Sequence, residues 1–204
     1  MIFLGPLFQI VQTHYQARIN HFPLIELIFY SLDKTILYLL IFMVLRWLWQ
    51  LLRHKPIHWR REVKVMIFTV YILMLLFLTV FRGIYFPWQI QWHLHRPLSQ
   101  INLTPLVQTL KLTQGRSPLD FFYNSLGNIF WFLPFGIGAP ILSAKHRSFW
   151  TITLAGIILS VSIEIMQFLL YTGVSDIDDV IFNTLGTMIG YMIYALGHHW
   201  LKAK

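Results

Sequence analysis

The sequence predicts an all-α fold, a polytopic bundle of about five transmembrane helices. Hydrophobic residues make up 56% of the 204 positions and charged residues only 12%, against roughly 25% charged in an ordinary soluble domain. Such a chain lacks the charge to cover a water-facing surface. That excludes a soluble enzyme, a disordered chain and a free nucleic-acid binder. Five stretches approach the ~20 apolar residues that cross a bilayer, and none shows the alternation of a membrane β-barrel.

The N-terminal MIFLGPLFQIVQTHYQARIN has no basic n-region and no small-residue cleavage site, so it reads as a short interfacial helix rather than a cleaved signal. The first span is placed near Phe29–Gln50, with Asp33 and Lys34 near one end and Arg46, Trp47 and Trp49 near the other. The second, Lys64–Phe81, carries no charge after its lysine. The third, Asn124–Leu142, is interrupted by Pro134, Gly136 and Gly138. The fourth is Trp150–Tyr171 and the fifth Asp179–Leu196. Between the second and third lies a long linker, 82–123, broken by Pro87, Pro97, Pro105 and Pro118. It is expected to lie along the interface or dip back into the protein. His93 and His95 in it could pair on a metal; two solvated histidines in an aromatic loop is the preferred reading, and no metal or cofactor is expected. With no cysteine in the chain, disulfides and thiolate sites are excluded. The expected organisation is an N-terminal segment with an extra span and basic loop (1–63), a core membrane domain (64–197) and a short tail (198–204).

Loop charge sets the expected orientation. With five spans, Arg46, Arg53, Lys55, Arg60, Arg61, Lys64, Lys145, Arg147, Lys202 and Lys204 share one side, ten of the 16 basic residues. Most acidic residues, including Asp120, Asp176, Asp178 and Asp179, fall on the other with Lys111 and Arg116. The basic side is therefore expected to be cytoplasmic, with the N-terminus outside and the C-terminus inside.

Polar residues inside the spans carry the functional signal. A charge at the bilayer centre costs several kcal/mol, from about 2.5 upward, so Glu164 is expected to face protein or a cavity. Ser160, Glu164, Gln167 and Tyr171 form one stripe of the fourth span. Asp179, Asn183, Gly186 and Gly190 form a matching stripe on the fifth, where the paired glycines permit close helix approach. The third span adds Asn124 and Asn128. By helical rise, Glu164 lies roughly 10 Å and Asn183 about 6 Å below the outer ends of their spans. The reading is a polar pocket opening outward beneath the acidic loop Ser175–Asp179. Its candidate binding residues are Asn128, Glu164, Gln167, Asp176, Asp178, Asp179 and Asn183. Two bland readings compete: helix-to-helix hydrogen bonding by Glu164, Gln167 and Asn183, and ordinary helix-start roles for Asp178 and Asp179.

These residues together resemble the VanZ-like family of bacterial membrane proteins. The resemblance rests on Asn128-x5-Pro134-Phe135-Gly136, on Ser160-x3-Glu164-x2-Gln167, and on Asp176-x-Asp178-Asp179-x3-Asn183-Thr184-x-Gly186-x3-Gly190-Tyr191. Asn102-Leu103-x-Pro105 also looks like a family element, and the match covers roughly residues 64–197. Many members carry an arginine just before the acidic loop; here those positions are Gly173 and Val174, so an anion-pairing role for it has no counterpart. The resemblance implies a Gram-positive envelope setting and a link to teicoplanin resistance, teicoplanin being a lipid-tailed glycopeptide.

Two function classes follow. The first is a non-enzymatic envelope protein binding an outer-leaflet amphiphile, either a lipoglycopeptide antibiotic or a lipid-linked wall precursor. Its partners are membrane lipids and that amphiphile, and not nucleic acid. The second is a membrane-embedded enzyme acting on a lipid or acyl group, with Glu164 as general acid/base and Asp179 as second carboxylate. A proton-coupled transporter fits less well, since no inverted repeat is visible.

Overall fold

Each helix begins or ends where the sequence carries a stop signal. The computed structural model describes residues 1–106, 118–143 and 147–202, the side chains of 118–124 and 201–202 excepted. Expectations for the side chains of Lys111, Arg116, Asp120, Asn124, Lys145 and Lys204 lie outside the described residues. Among the described residues the fold is all-helical, with no strand and a single isolated parallel bridge between Asn102 and Asp176. The chain packs as two units, residues 1–91 and 92–204.

The first unit holds α1 (Gly5–Tyr15), α2 (Phe22–Leu52) and α3 (Trp59–Thr79), followed by a 3-10 turn at Pro87–Gln89. Pro6 and Pro23 open α1 and α2, where a missing N–H costs nothing. α2 begins seven residues before the expected Phe29. Asp33 and Lys34 therefore lie three turns inside the helix rather than near an end, and both are fully buried. They are tolerated there because backbone groups satisfy them. Asp33 accepts from the amides of Ile2, Phe3 and Leu4 at 2.6–2.7 Å and from the Tyr85 hydroxyl at 2.5 Å. Lys34 Nζ donates to the carbonyls of Phe81 (2.7 Å) and Ile84 (3.1 Å) and sits 4.8 Å from the Tyr30 ring and 4.7 Å from the Phe77 ring. Burial, then the adjoining Asp33 carboxylate, push the Tyr85 phenol above its ordinary pKa. At the other end of the pair, Arg46 bridges to Glu62, which also accepts from Gln50 at 2.9 Å.

The second unit holds a 3-10 turn at Leu98–Gln100, α4 (Pro118–Leu142), α5 (Phe149–Leu170) and α6 (Ile177–Lys202). α4 reaches back over the last residues assigned from sequence to the linker. Ser148 caps α5 by accepting from Thr151 N. Tyr171 ends α5 in the left-handed region (φ 56°). Glycines set the packing. A Cβ at Gly186 would strike the Ile129 carbonyl, and one at Gly190 the Leu133 carbonyl, both on α4. One at Gly136 would meet Thr187 O, and one at Gly156 the Thr187 side chain. The Gly186-x-x-x-Gly190 face is thus a close helix–helix seam, as its spacing predicts.

Among the described residues five helices are long and apolar enough to cross a membrane: Phe22–Leu52, Trp59–Thr79, Ser125–Leu142, Phe149–Leu170 and Ile177–Trp200. Their outer faces carry bare apolar side chains such as Leu45, Ile67, Phe130, Leu154 and Leu196. Surface of that kind is stable against lipid, not water.

Candidate functional site

The polar residues of the second unit converge where α5 turns into α6. α6 starts because Asp176 caps it: Asp176 Oδ1 accepts from Asp178 N at 2.9 Å, satisfying one of the free amides of the first turn. The same oxygen accepts from Asn102 Nδ2 at 2.9 Å. Two main-chain bonds reinforce that grip, Asn102 N to Ser175 O (2.9 Å) and Ile177 N to Asn102 O (3.0 Å). Asn102 thus ties the 98–106 segment to the α5–α6 turn. Asp178 Oδ1 accepts from Leu106 N at 2.6 Å, at a point where Leu106 has φ 61°.

Glu164 holds the turn from below. Its Oε2 accepts from Asp176 N at 3.0 Å, and its main-chain carbonyl accepts from Ser175 Oγ at 2.7 Å. It is 7% exposed. One turn along, Gln167 packs its side chain against Gly173, where a Cβ would come within 3.0 Å of Nε2. Asn128 on α4 donates to Asp179 Oδ1 at 2.6 Å, and Asn183 on α6 donates to Ser160 Oγ at 2.9 Å.

These contacts and the cavity sort five of the seven candidates into two groups, Gln167 and Asp178 falling in neither. Asn128 with Asp179, and Asn183 with Ser160, bolt neighbouring helices together, Asn183 through its Nδ2 while its buried Oδ1 has no partner among the described residues. Glu164 and Asp176 instead line a cavity of about 420 Å³. The rest of its wall is apolar except for Ser175. Leu98, Ile101 and Leu103 come from the segment before α4, and Val161, Ile165 and Phe168 come from one stripe of α5. That stripe lies one residue over from Ser160, Glu164 and Gln167, so α5 carries a buried polar face beside an apolar one. Gln167, Asp178 and Asp179 are not among the lining residues. The cavity is therefore an apolar trough with an acidic end, where the sequence predicts a polar pocket.

Arg96 was not singled out by its sequence context. Its guanidinium donates to Phe168 O (2.8 Å) and to Gln100 Oε1 (3.0 and 2.9 Å). It stacks 4.5 Å from the Phe168 ring and 4.4 Å from the Tyr171 ring. Those contacts hold the left-handed Tyr171 in place. His93 is positioned similarly, its N–H donating to Leu169 O at 2.8 Å and its ring 5.7 Å from Tyr171. Among the described residues, no group of three His, Asp or Glu side chains has the arrangement to hold a metal ion.

Comparison with known proteins places this unit. The VanZ/LLP1 family model matches residues 68–198, well over half of the chain. The chain belongs to the VanZ/LLP1 family. It is also 31% identical over 104 residues to Protein VanZ of Enterococcus faecium. That alignment covers 51% of this chain and 58% of the relative, so the chain spans only a little over half of that protein. No solved structure matches. Family membership and five membrane-length helices make this a multi-pass VanZ-like membrane protein. The VanZ/LLP1 match takes in all of the cavity and the Glu164–Asp176 contact, and it excludes α1 and α2.

Proposed function

We propose that this protein binds an amphiphile of the outer membrane leaflet, seating its hydrocarbon tail in the trough and its head group against Glu164, Ser175 and Asp176. The observation that carries this reading is the composition of the trough. Nine of its twelve lining side chains are apolar, and its polar groups are those three. A tail gains by burial at roughly 25 cal/mol per Å² of apolar surface, while a few placed polar groups fix its orientation. The charge of the loops supports an outward-facing trough, since the α5–α6 turn lies on the acidic side of the chain.

Lipid-tailed glycopeptides and lipid-linked wall precursors both have this form. The VanZ-like resemblance favours a contribution to teicoplanin-type resistance, in which the trough captures the drug by its tail. The test is susceptibility of a sensitive Gram-positive host expressing wild type or Ile165→Asp at matched membrane levels. Protection should be selective for teicoplanin over vancomycin, and the charge placed in the trough should abolish it. Equal protection against both drugs, or protection retained by Ile165→Asp, would refute tail capture.

A further inference from the structure

The electrostatics of the trough bear on the head group. Glu164 lines the cavity although it is only 7% exposed, and Asp176 stands beside it, its amide bonded to Glu164 Oε2. Asp179 is close behind, on the first turn of the same helix. Among the described residues none of these three carboxylates is paired with a lysine or arginine; the ion pair found there joins Arg46 to Glu62 in the other unit. Arg96, the cation nearest in sequence to the trough, is spent on Phe168 O, Gln100 and two aromatic rings. Like charges confined in a low-dielectric setting repel, and an opposite charge within a few Å relieves them.

We infer that the trough selects an aminated amphiphile, an alkyl chain whose head is a primary ammonium, and that Glu164 and Asp176 receive that ammonium while the α5 stripe of Val161, Ile165 and Phe168 receives the chain. This rests on the tail-binding reading above. It narrows that reading, because ligands headed by phosphate, lipid-linked wall precursors among them, would meet the same carboxylates with the wrong sign. The apolar wall continuing directly from the carboxylates favours a cation carrying its own tail over a bare metal ion. An ammonium brings three donors to carboxylate oxygens that no lysine or arginine among the described residues pairs with.

The test uses the full chain in zwitterionic phosphatidylcholine nanodiscs, whose surface carries no net charge to enrich the amine or repel the acid. Three probes share one long alkyl chain with a diazirine on the tail and differ only in the head: primary amine, alcohol and carboxylic acid. Photolabelling is mapped to peptides spanning 98–103 and 161–180. The expected ranking is amine over alcohol over acid, with half-saturation for the amine about tenfold below the alcohol, as one charge-assisted hydrogen bond would give. Glu164→Gln with Asp176→Asn should bring the amine down to the alcohol's level. Equal labelling by amine and alcohol, or strongest labelling by the acid, would overturn the head-group inference and leave tail binding standing. Failure of all three probes to label the trough would overturn tail binding itself. The wild-type ranking decides between these outcomes without recourse to a variant that must fold.

Discussion

Glu164 grips Asp176 by its main chain and not by its side chain. The Asp176 N–H donates to Glu164 Oε2 at 3.0 Å, which leaves the Asp176 carboxylate free to cap α6 and to bind Asn102. One acidic residue thereby positions another without pairing against it. In this contact Glu164 serves as a hydrogen-bond acceptor, which an amide oxygen can also supply.

Glu164→Gln should consequently fold and accumulate in the membrane like wild type, because its amide oxygen still accepts from Asp176 N. Glu164→Ala leaves that buried donor unmet and should lower stability by about 1–3 kcal/mol. Thermal unfolding of both variants in detergent micelles checks this. Equal melting of the two would show that the bond to Asp176 contributes nothing.

Asp176→Ala removes a helix cap and the acceptor for Asn102 together. The expected loss is about 1–2 kcal/mol from the cap alone. It should be local, appearing as faster hydrogen exchange at residues 102–106 and 175–180. Asp176→Asn keeps an acceptor oxygen and should recover most of the protection.

Gly190→Leu should prevent assembly of the second unit, since even its Cβ would collide with the Leu133 carbonyl and backbone cannot rotate away. Gly197→Leu, on the same helix but with open space around it, should accumulate normally. Fluorescence-detected size exclusion of tagged variants distinguishes them.

Lys34→Met keeps the length of the side chain and removes the donor to the carbonyls of Phe81 and Ile84. The half-buried Ile84 carbonyl then loses this donor and the Phe81 carbonyl keeps only the Ile84 N–H at 3.3 Å, so the first unit should lose about 1–3 kcal/mol. Proteolysis after residue 81 in bicelles should become markedly faster. Unchanged cleavage would place the ammonium outside the determinants of this unit's stability.

Tyr85→Phe deletes the hydroxyl bound to Asp33 and should cost about 1.5–3 kcal/mol, as hydrogen bonds to a charged group do. The phenol's raised pKa gives a second signature. A proton held more tightly in the folded state stabilises it fully below the unfolded phenol pKa of about 10, and the benefit is lost as pH rises beyond that. Melting temperature of wild type should fall above pH ~10 more steeply than that of Tyr85→Phe.

The spans and the glycine seam were legible because both are local patterns. Apolar length sets a span, and two glycines four apart describe one face of one helix. The trough was not legible in the same way. A polar stripe in a membrane helix marks the residues that must avoid lipid, and a neighbouring helix satisfies them as well as a ligand does. Asn183 meets Ser160 and Asn128 meets Asp179 in that manner. The cavity lies one stripe over, on side chains whose apolar character is what lipid contact also demands. Asp33 and Asn102 show the other limit. Their partners are 31 and 74 residues away along the chain, and no spacing rule connects them.

The hold of Asp33 on Ile2, Phe3 and Leu4 is made through their amides alone. It reads no side chain. Residues 2–4 are accordingly free to drift through any composition over evolutionary time without loosening the attachment, with proline, which has no N–H to offer, as the one forbidden letter.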